Sequence, residues 1–348
     1  MAAKRSRRQV DIGAVARRAG VSTATVSRAL RGLPNVSASA RERVLAAAAE
    51  LDYVVSPSAS RLASGQTRSV AVVAPYLGRW FFGQVLAGAE EVLRAAGYDV
   101  LLYGLPDDAA REAFFTRLPV RRRVDGVLVL TLPLTSGEID ALLSLGVPIG
   151  TVGVPAPGIS SVGIDDEAGA RAAVNHLINL GHTRIAMIGS GPSEPIHFTV
   201  PQQRALGYTT ALTTAGLDTP PAYQVDGQFT FAGGGAAMAD LLALPTPPTA
   251  VFAQSDEMAM GALRTLRHTG LTCPGDLSII GFDDHELAAL SDLTTIAQPA
   301  HTQGQTAAHD LLTRLSTHTP PTTTTLPTRL ILRATTRAHR GAQERQAG

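Results

Sequence analysis

The first 66 residues carry 11 lysines and arginines against 4 aspartates and glutamates, a net charge of +7. Residues 67–348 carry 19 against 25, a net −6, so the whole-chain value of +1 hides a division. Guanidinium groups gathered at one end of an acidic chain attract a polyanion, and nucleic acid is the polyanion a folded basic module meets. Lys4, Arg5, Arg7 and Arg8 alone would make a solvated basic tail. Arg17, Arg18, Arg28, Arg31, Arg41, Arg43 and Arg61 lie in periodic sequence, where a folded scaffold can aim them.

Motifs for covalent or metal chemistry are incomplete. Gly189-Ser190-Gly191 follows an apolar run, as a phosphate loop does, but no third glycine stands at the dinucleotide spacing and no Gly-Lys-Ser/Thr follows. Asp165-Asp166-Glu167 and Asp283-Asp284 lack the alternating spacing of a calcium loop, and adjacent acids point in different directions. The nine histidines offer no metal-binding pair on a helix. Cys273 is the sole cysteine, which excludes an intrachain disulfide and a cysteine metal cluster. No Gly-x-Ser-x-Gly nucleophile elbow is present. No enzyme, cofactor or metal is expected.

The elements that must position the basic residues are short helices. Ile12, Val15, Ala16 and Ala19 recur at helical spacing behind Asp11, which can cap them, and Gly20 ends the run. Ser22 can cap a second helix, Thr23 to Leu30, with Val26, Ala29 and Leu30 inward. Gly32, Leu33 and Pro34 break it. A third helix runs from about Ala38 to Leu51 with Val44, Leu45, Ala48 and Leu51 inward, capped by Ser39 through a box with Glu42 or by Ser37. Helix, glycine turn, helix is the helix-turn-helix pattern, which places the start of the second helix in the DNA major groove. Ser56 to Gly65 is a linker or a marginal helix.

From Val70 strands alternate with helices. Val70–Ala74, Val100–Tyr103, Gly126–Leu130, Ile149–Val152, Ser161–Ile164, Ile185–Ile188, Ala250–Ala253 and Ser278–Gly281 read as buried strands. Gly83–Ala96, Glu138–Leu145, Ala168–Leu180, Gln202–Ala215, Ala232–Leu244, Met258–Thr269 and Gln303–Leu315 read as amphipathic helices. The alternation implies a doubly wound α/β fold. Residues 317–325 read as an extended connector and Leu326–Leu332 as a last strand. At 348 residues, 45% hydrophobic and 17% charged, the chain is a globular protein of two or three domains. Its basic start has no apolar stretch behind it and no 18-residue apolar run occurs, so a cytoplasmic protein is expected.

Val10-Asp-Ile-Gly-Ala-Val-Ala-Arg-Arg-Ala-Gly-Val-Ser-Thr-Ala-Thr-Val-Ser-Arg-Ala-Leu30 resembles the helix-turn-helix of the LacI/GalR family. The likeness continues through Val36-Ser37, Arg41-Glu-Arg-Val44, Leu51-Asp-Tyr53 and Leu62-Ala-Ser-Gly-Gln-Thr67. It reappears at Gly181-His-Thr-Arg-Ile185, Gln203-Arg204, Gly207-Tyr208, Ser255-Asp256, Met258-Ala-Met-Gly261 and Gly281-Phe-Asp-Asp284. The resemblance implies a repressor with a three-helix DNA-binding head over 1–54 and a hinge helix and linker over 55–67. Over 68–335 it implies an effector domain like periplasmic sugar-binding proteins, and 336–348 reads as a disordered tail. The effector domain would comprise two doubly wound α/β subdomains, 68–163 with 298–325 and 164–297 with 326–335, joined by crossovers near 163, 297 and 325.

Roles follow from the same resemblance. Thr23, Ala24 and Arg28 take base-reading positions, Arg28 reaching guanine or phosphate. Ser22, Thr25 and Ser27 either contact phosphates or serve as caps and helix surface. Leu62 matches a leucine that the family wedges into the minor groove, two copies kinking the operator centre. In the effector pocket, Arg204 and Asp283 would clamp a diol, one holding adjacent oxygens and the other accepting from hydroxyls. Asp165, Ser255, Asp256 and Gln298 would add polar contacts; Phe229 would stack on a sugar face, opposite Trp80 and Phe81. The expected partners are pseudo-palindromic operator DNA, a small effector of the sugar class and a second copy of the chain, with helix Gly83–Ala96 at or near the dimer face. The tail lacks a leucine heptad, which favours a dimer over a tetramer. The alternatives are a sugar-binding module without DNA function, a sugar-modifying enzyme, and a regulator with a purine corepressor.

Overall fold

A computed structural model describes residues 11–30, 32–53, 66–190, 199–317 and 319–339. The chain divides into a head, up to Thr67, and a body from Arg68. Leu62 and most of the expected hinge lie outside the described residues.

In the head, α1 (Ile12–Ala19), α2 (Thr23–Leu30) and α3 (Ala38–Glu50) enclose a core of Val15, Ala16, Ala19, Val26, Ala29, Val44, Ala47 and Ala48. Val15, Val26 and Val44 are fully buried, each stabilising the bundle by about 1.5–3 kcal/mol. Asp11 caps α1 by accepting from the Ala14 N–H at 2.7 Å. Gly20 stops it at φ +66°, a left-handed turn that glycine adopts without strain. Ser37, not Ser39, caps α3. Leu45 corrects the expected inward face: it is 51% exposed and Ala47 is buried in its stead, because the core stripe runs Val44, Ala47, Ala48, Leu51. Three arginines of the basic head are spent on this scaffold. Arg18 pairs with Glu50 at 2.7 Å, Arg41 donates to the Leu33 carbonyl at 2.8 Å and Arg43 to that of Ala19 at 3.2 Å.

In the body the chain first runs β1 (Ser69–Ala74), α4 (Trp80–Ala95), β2 (Asp99–Gly104), α5 (Asp108–Arg117), β3 (Gly126–Leu130), α6 (Ser136–Leu143), β4 (Ile149–Val152) and β5 (Ser160–Ile164). It continues through α7 (Asp166–Asn179), β6 (Ile185–Gly189), α8 (Val200–Thr214), β7 (Gln224–Asp226), α9 (Phe231–Leu242), β8 (Ala250–Ala253), α10 (Asp256–His268), β9 (Ser278–Asp283) and β10 (Thr294–Ala297). The last elements are α11 (Ala300–Thr317), β11 (Thr323–Leu326) and β12 (Arg329–Ile331).

Two sheets result. The first has the order β11-β5-β4-β3-β1-β2, every pair parallel. The second has the order β12-β10-β9-β8-β6-β7, parallel except where β12 pairs antiparallel with β10. Strands β1, β3, β4, β6, β8 and β9 are buried along their whole length, as helices on both faces require. The chain passes between the sheets after β5, after β10 and between β11 and β12.

Several elements depart from the sequence reading. The single strand expected over 326–332 is two strands in different sheets. Pro327, with no N–H to donate, separates them. Residues 323–325 of the expected connector join Leu326 in β11, where alternating exposed threonines hide a strand. Helix α5 buries only Phe114, and β7 has only three residues. The expected loose tail is tied down over its first four residues. Thr336 meets His176 at 2.9 Å, the Arg337 N–H reaches the Ser278 hydroxyl at 3.2 Å, and the His339 N–H reaches the Leu180 carbonyl at 2.7 Å. Among the described residues no helix is long and apolar enough to cross a membrane.

Candidate functional site

The head offers one face of α2. Val26 and Ala29 point into the core, which leaves Thr23, Ala24 and Arg28 exposed and Ser27 half-buried on the opposite side. Ser22 starts the helix: its Oγ accepts from the Thr25 N–H at 3.1 Å and lies 2.9 Å from the Thr25 hydroxyl. Ser22 and Thr25 thus act as a cap in the free head. Arg28, one turn on from Ala24, is the exposed cation of the group.

The body offers a cleft of about 710 Å³, open mouth included, at the carboxyl ends of both sheets. Both sheets reverse strand order there, at β1/β3 and at β6/β8, and such switch points splay the loops and leave a crevice. Thr131 follows β3, Gly153 follows β4, Ser255 follows β8, Asp283 ends β9 and Gln298 follows β10; all line it.

Arg204, on α8, is the cleft's buried cation, 4% exposed. Its Nε donates to Asp166 Oδ1 at 2.8 Å, and its Nη1 donates to the Gln254 carbonyl and lies 3.5 Å from Asp283 Oδ1. The guanidinium carbon sits 3.6 Å from the centroid of the Phe282 ring, which carries it from below. Gln298 Nε2 donates to the same Asp283 oxygen at 2.6 Å, and Gln303 Nε2 donates to Gln298 Oε1 at 3.0 Å. Burial pushes the Asp283 carboxyl up to about 7 despite Arg204 and Gln298, and raises Asp166 against the pull of Arg204. Asp283 and Asp284, at the end of β9, have φ of +123° and +60°, the kind of backbone strain that clusters at functional sites.

Trp80 and Phe81 form the first turn of α4, which begins three residues before the expected Gly83; with Phe82 they line the first-sheet side. Phe229 lines the second-sheet side at φ +50°. Trp80 also meets His285 across the cleft, ring centroids 5.1 Å apart and planes at 30°.

The cleft therefore gathers Trp80, Phe81, Arg204, Phe229, Ser255, Asp283 and Gln298. Two expected residues are not in it. Asp165 is exposed and spends its carboxylate capping α7 through the Ala168 N–H at 2.8 Å; its neighbour Asp166 lines the cleft instead. Asp256 is fully buried behind the wall, accepting from the His285 N–H at 2.8 Å and the Thr295 hydroxyl at 2.6 Å. Burial, then the Asp283 charge, hold its carboxyl well above the usual range. Its neighbour Glu257 lines the cleft, near the Trp80 backbone N–H and Arg79, its own carboxyl raised by burial. The reading also missed Arg79, Thr131 and Gln303. Gln303 was visible only as the first residue of an expected helix.

Known proteins match this arrangement along its length. The family of bacterial regulatory proteins, lacI family, matches residues 11–56, and a periplasmic binding protein-like domain matches residues 174–336. The HTH-type transcriptional repressor CytR of Escherichia coli (strain K12) is 37% identical over 345 residues, 97% of this chain and 99% of that protein. The Lac repressor dimer bound to operator and the anti-inducer ONPF superposes with a TM-score of 0.84 at 30% identity, covering 95% of this chain and all (100%) of that one. The transcriptional regulator CelR in complex with cellobiose gives a TM-score of 0.69 at 32% identity, covering 94% and 100%. The chain belongs to the lacI family of bacterial regulatory proteins and is a DNA-binding transcription regulator.

Proposed function

We propose that this chain is a cytoplasmic, homodimeric repressor whose operator affinity is set by a sugar or similar polyol held in the cleft. The observation that carries the effector reading is the Arg204–Asp283–Gln298 array facing aromatic rings in one crevice. A guanidinium and a carboxylate side by side suit a diol, and rings suit the apolar face of a pyranose or furanose. Cellobiose in the CelR complex and ribose in a LacI family regulator from Enterococcus faecium support the choice of class. The operator-bound Lac repressor dimer supports the DNA and dimer readings.

In this mechanism Thr23, Ala24 and Arg28 read base edges, Ser22, Thr25 and Ser27 lie along the phosphates, and Leu62 wedges the minor groove. The domain limits at 54, 67 and 335 belong to the same reading. The effector binds one closure state of the two subdomains better than another, and that difference in affinity is the only free energy available to shift the heads on DNA.

A thermal-shift screen of sugars and nucleobases on the full chain tests the cleft. At least one sugar should raise the melting temperature, and Arg204→Ala should lose that shift. A retained shift would remove Arg204 from the pocket. Salt-sensitive, sequence-selective binding to a palindromic duplex tests the head. A nucleobase corepressor is the second reading, favoured by the ring-rich wall of Trp80, Phe81, Phe82 and Phe229. A shift with bases and none with sugars would establish it.

A further inference from the structure

Two buried polar atoms in the cleft have no protein partner among the described residues: the Gln303 amide oxygen and the Trp80 indole N–H. Gln303 is 1% exposed, so its oxygen cannot turn to bulk water. A buried acceptor without a donor costs on the order of 1–3 kcal/mol, and persists where something supplies the missing bond.

Charge fixes which Gln303 atom is the orphan. Asp283 shares Oδ1 with Arg204 and can only accept there, so Gln298 must present its N–H₂ to it, at 2.6 Å. Gln298 then faces Gln303 with its oxygen, so Gln303 must present its own N–H₂, at 3.0 Å. The Gln303 oxygen is left over, buried and without a protein donor. A relay of three side chains thus converts the fixed polarity of Arg204 and Asp283 into a fixed acceptor on the other side of the cleft.

That side is rigid. Gln303 lies in the first turn of α11 and Trp80 begins α4. The two helices touch at Gly88 and Gly304, where a Cβ would overlap the facing carbonyls of His301 and Val85. Arg204, Phe229, Ser255 and Asp283 all belong to the second-sheet half. The first-sheet half therefore holds its own donor and acceptor at a set separation.

We propose that Gln303 is a specificity-determining residue of the cleft: its oxygen accepts from a hydroxyl or amine of the effector while the Trp80 indole N–H donates to an acceptor on the same molecule. This rests on the effector reading above and adds to it. One molecule held by the clamp on one half and by this pair on the other bridges the halves, which couples recognition to closure.

The test titrates D-ribose, D-galactose, cellobiose and adenosine into the full chain by calorimetry, with Gln303→Met, Trp80→Phe and Arg204→Ala beside the wild type. Gln303→Met keeps volume and removes the acceptor together with the N–H₂ that Gln298 accepts from; Trp80→Phe keeps a ring and removes the donor. Affinity for the compounds that bind should fall about tenfold in Gln303→Met and about fivefold in Trp80→Phe, the loss of one hydrogen bond each. The unliganded melting temperature of Gln303→Met should change little, since the unsatisfied Gln303 oxygen goes while the Gln298 oxygen loses its donor. A deoxy analogue lacking the hydroxyl at Gln303 should lose affinity for the wild type and none for Gln303→Met. Should Gln303→Met unfold, Trp80→Phe on the other helix carries the test. Affinities within twofold of wild type for both, with binding abolished in Arg204→Ala, overturn this proposal and leave the effector reading standing. Undiminished binding by Arg204→Ala, or no binding of any of the four compounds to the wild type, overturns both.

Discussion

On the proposed reading the head and the cleft each stake recognition on one arginine, in opposite surroundings. Arg28 is exposed on α2 and hydrated in the head. Arg204 is buried between Asp166 and Asp283, its plane already fixed by Phe282. In the proposed role the exposed cation would release counterions from phosphate or pair with a guanine edge, so its effect should vary with salt. The buried one works through fixed geometry, so it should ignore salt and answer to proton concentration. Position relative to water, not residue type, sets which variable each site senses.

The largest effect should come from breaking the buried side. Arg204→Ala leaves Asp166 and Asp283 inside the body with no guanidinium between them. Removing one partner of a buried ion pair typically costs about 3–5 kcal/mol. Chemical denaturation followed by far-ultraviolet dichroism should show a loss of that order, with the effector-induced shift gone. A loss under 1 kcal/mol would mean that water reaches the pair, and the contrast with Arg28 would weaken.

Proton dependence sharpens the contrast next. Asp283 has a carboxyl at about 7 in the fold against 3.8 as its ordinary value. An acid whose value rises on folding favours the folded state while protonated. Its contribution is therefore full below about 3.8 and is lost as pH rises through about 7. Asp283→Asn removes the liability. The melting temperature of the variant minus that of wild type should climb between pH 4 and pH 7 and level off above. A flat difference would mean that Asp283 stays charged throughout. His182 runs the other way: burial among Thr249, Ser278 and Arg337 takes it from 6.5 to about 4. Its contribution is present above 6.5 and lost as pH falls toward 4, so the Asp283 effect is read as a difference between variants and not from the wild type alone.

The two regions also differed in how much their sequences disclosed. The head is continuous in sequence, and Asp11, Gly20, Val26 and Ala29 mark caps, turn and core within twenty residues. The cleft is assembled from positions 79 to 303 by two sheets. Strand–helix alternation revealed a doubly wound α/β fold, and the family resemblance implied its two subdomains with an effector pocket. What it left open was phase. Successive residues at a helix start point about 100° apart, so an error of one in the start swaps a lining residue for its neighbour. Asp165 was expected where Asp166 lines the cleft, and Asp256 where Glu257 does; both pairs lie at helix starts that the sequence reading set two residues late. Gln303 escaped because its importance lies in the amide of Gln298, which no periodicity encodes.

On the exposed side, Arg28→Ala should weaken operator binding by about 1–3 kcal/mol if the guanidinium pairs with guanine. The loss should then concentrate on one base pair of the half-site. If Arg28 meets phosphate, binding should weaken across all sequences and the slope of log affinity against log salt should fall by about one. Fluorescence anisotropy over a salt series on the consensus and single-substituted duplexes separates the two. No change in either quantity would remove Arg28 from the interface.

The smallest effect tests whether one residue serves the fold, the DNA, or both. Ser22 caps α2 in the free head, and Ser22→Ala should cost that unit about 1 kcal/mol. Loss of operator binding by Ser22→Ala alone would not distinguish a frayed helix from a lost phosphate contact. Ser22→Asp does. Aspartate caps as well as serine and its charge suits a helix N-terminus, so head stability should be kept. The same charge repels a phosphate, so affinity should drop about tenfold, and the drop should shrink as added salt screens the repulsion. Stable heads that bind operator as tightly as wild type would assign Ser22 to the cap alone. The exposed side of the comparison would then rest on Thr23, Ala24 and Arg28.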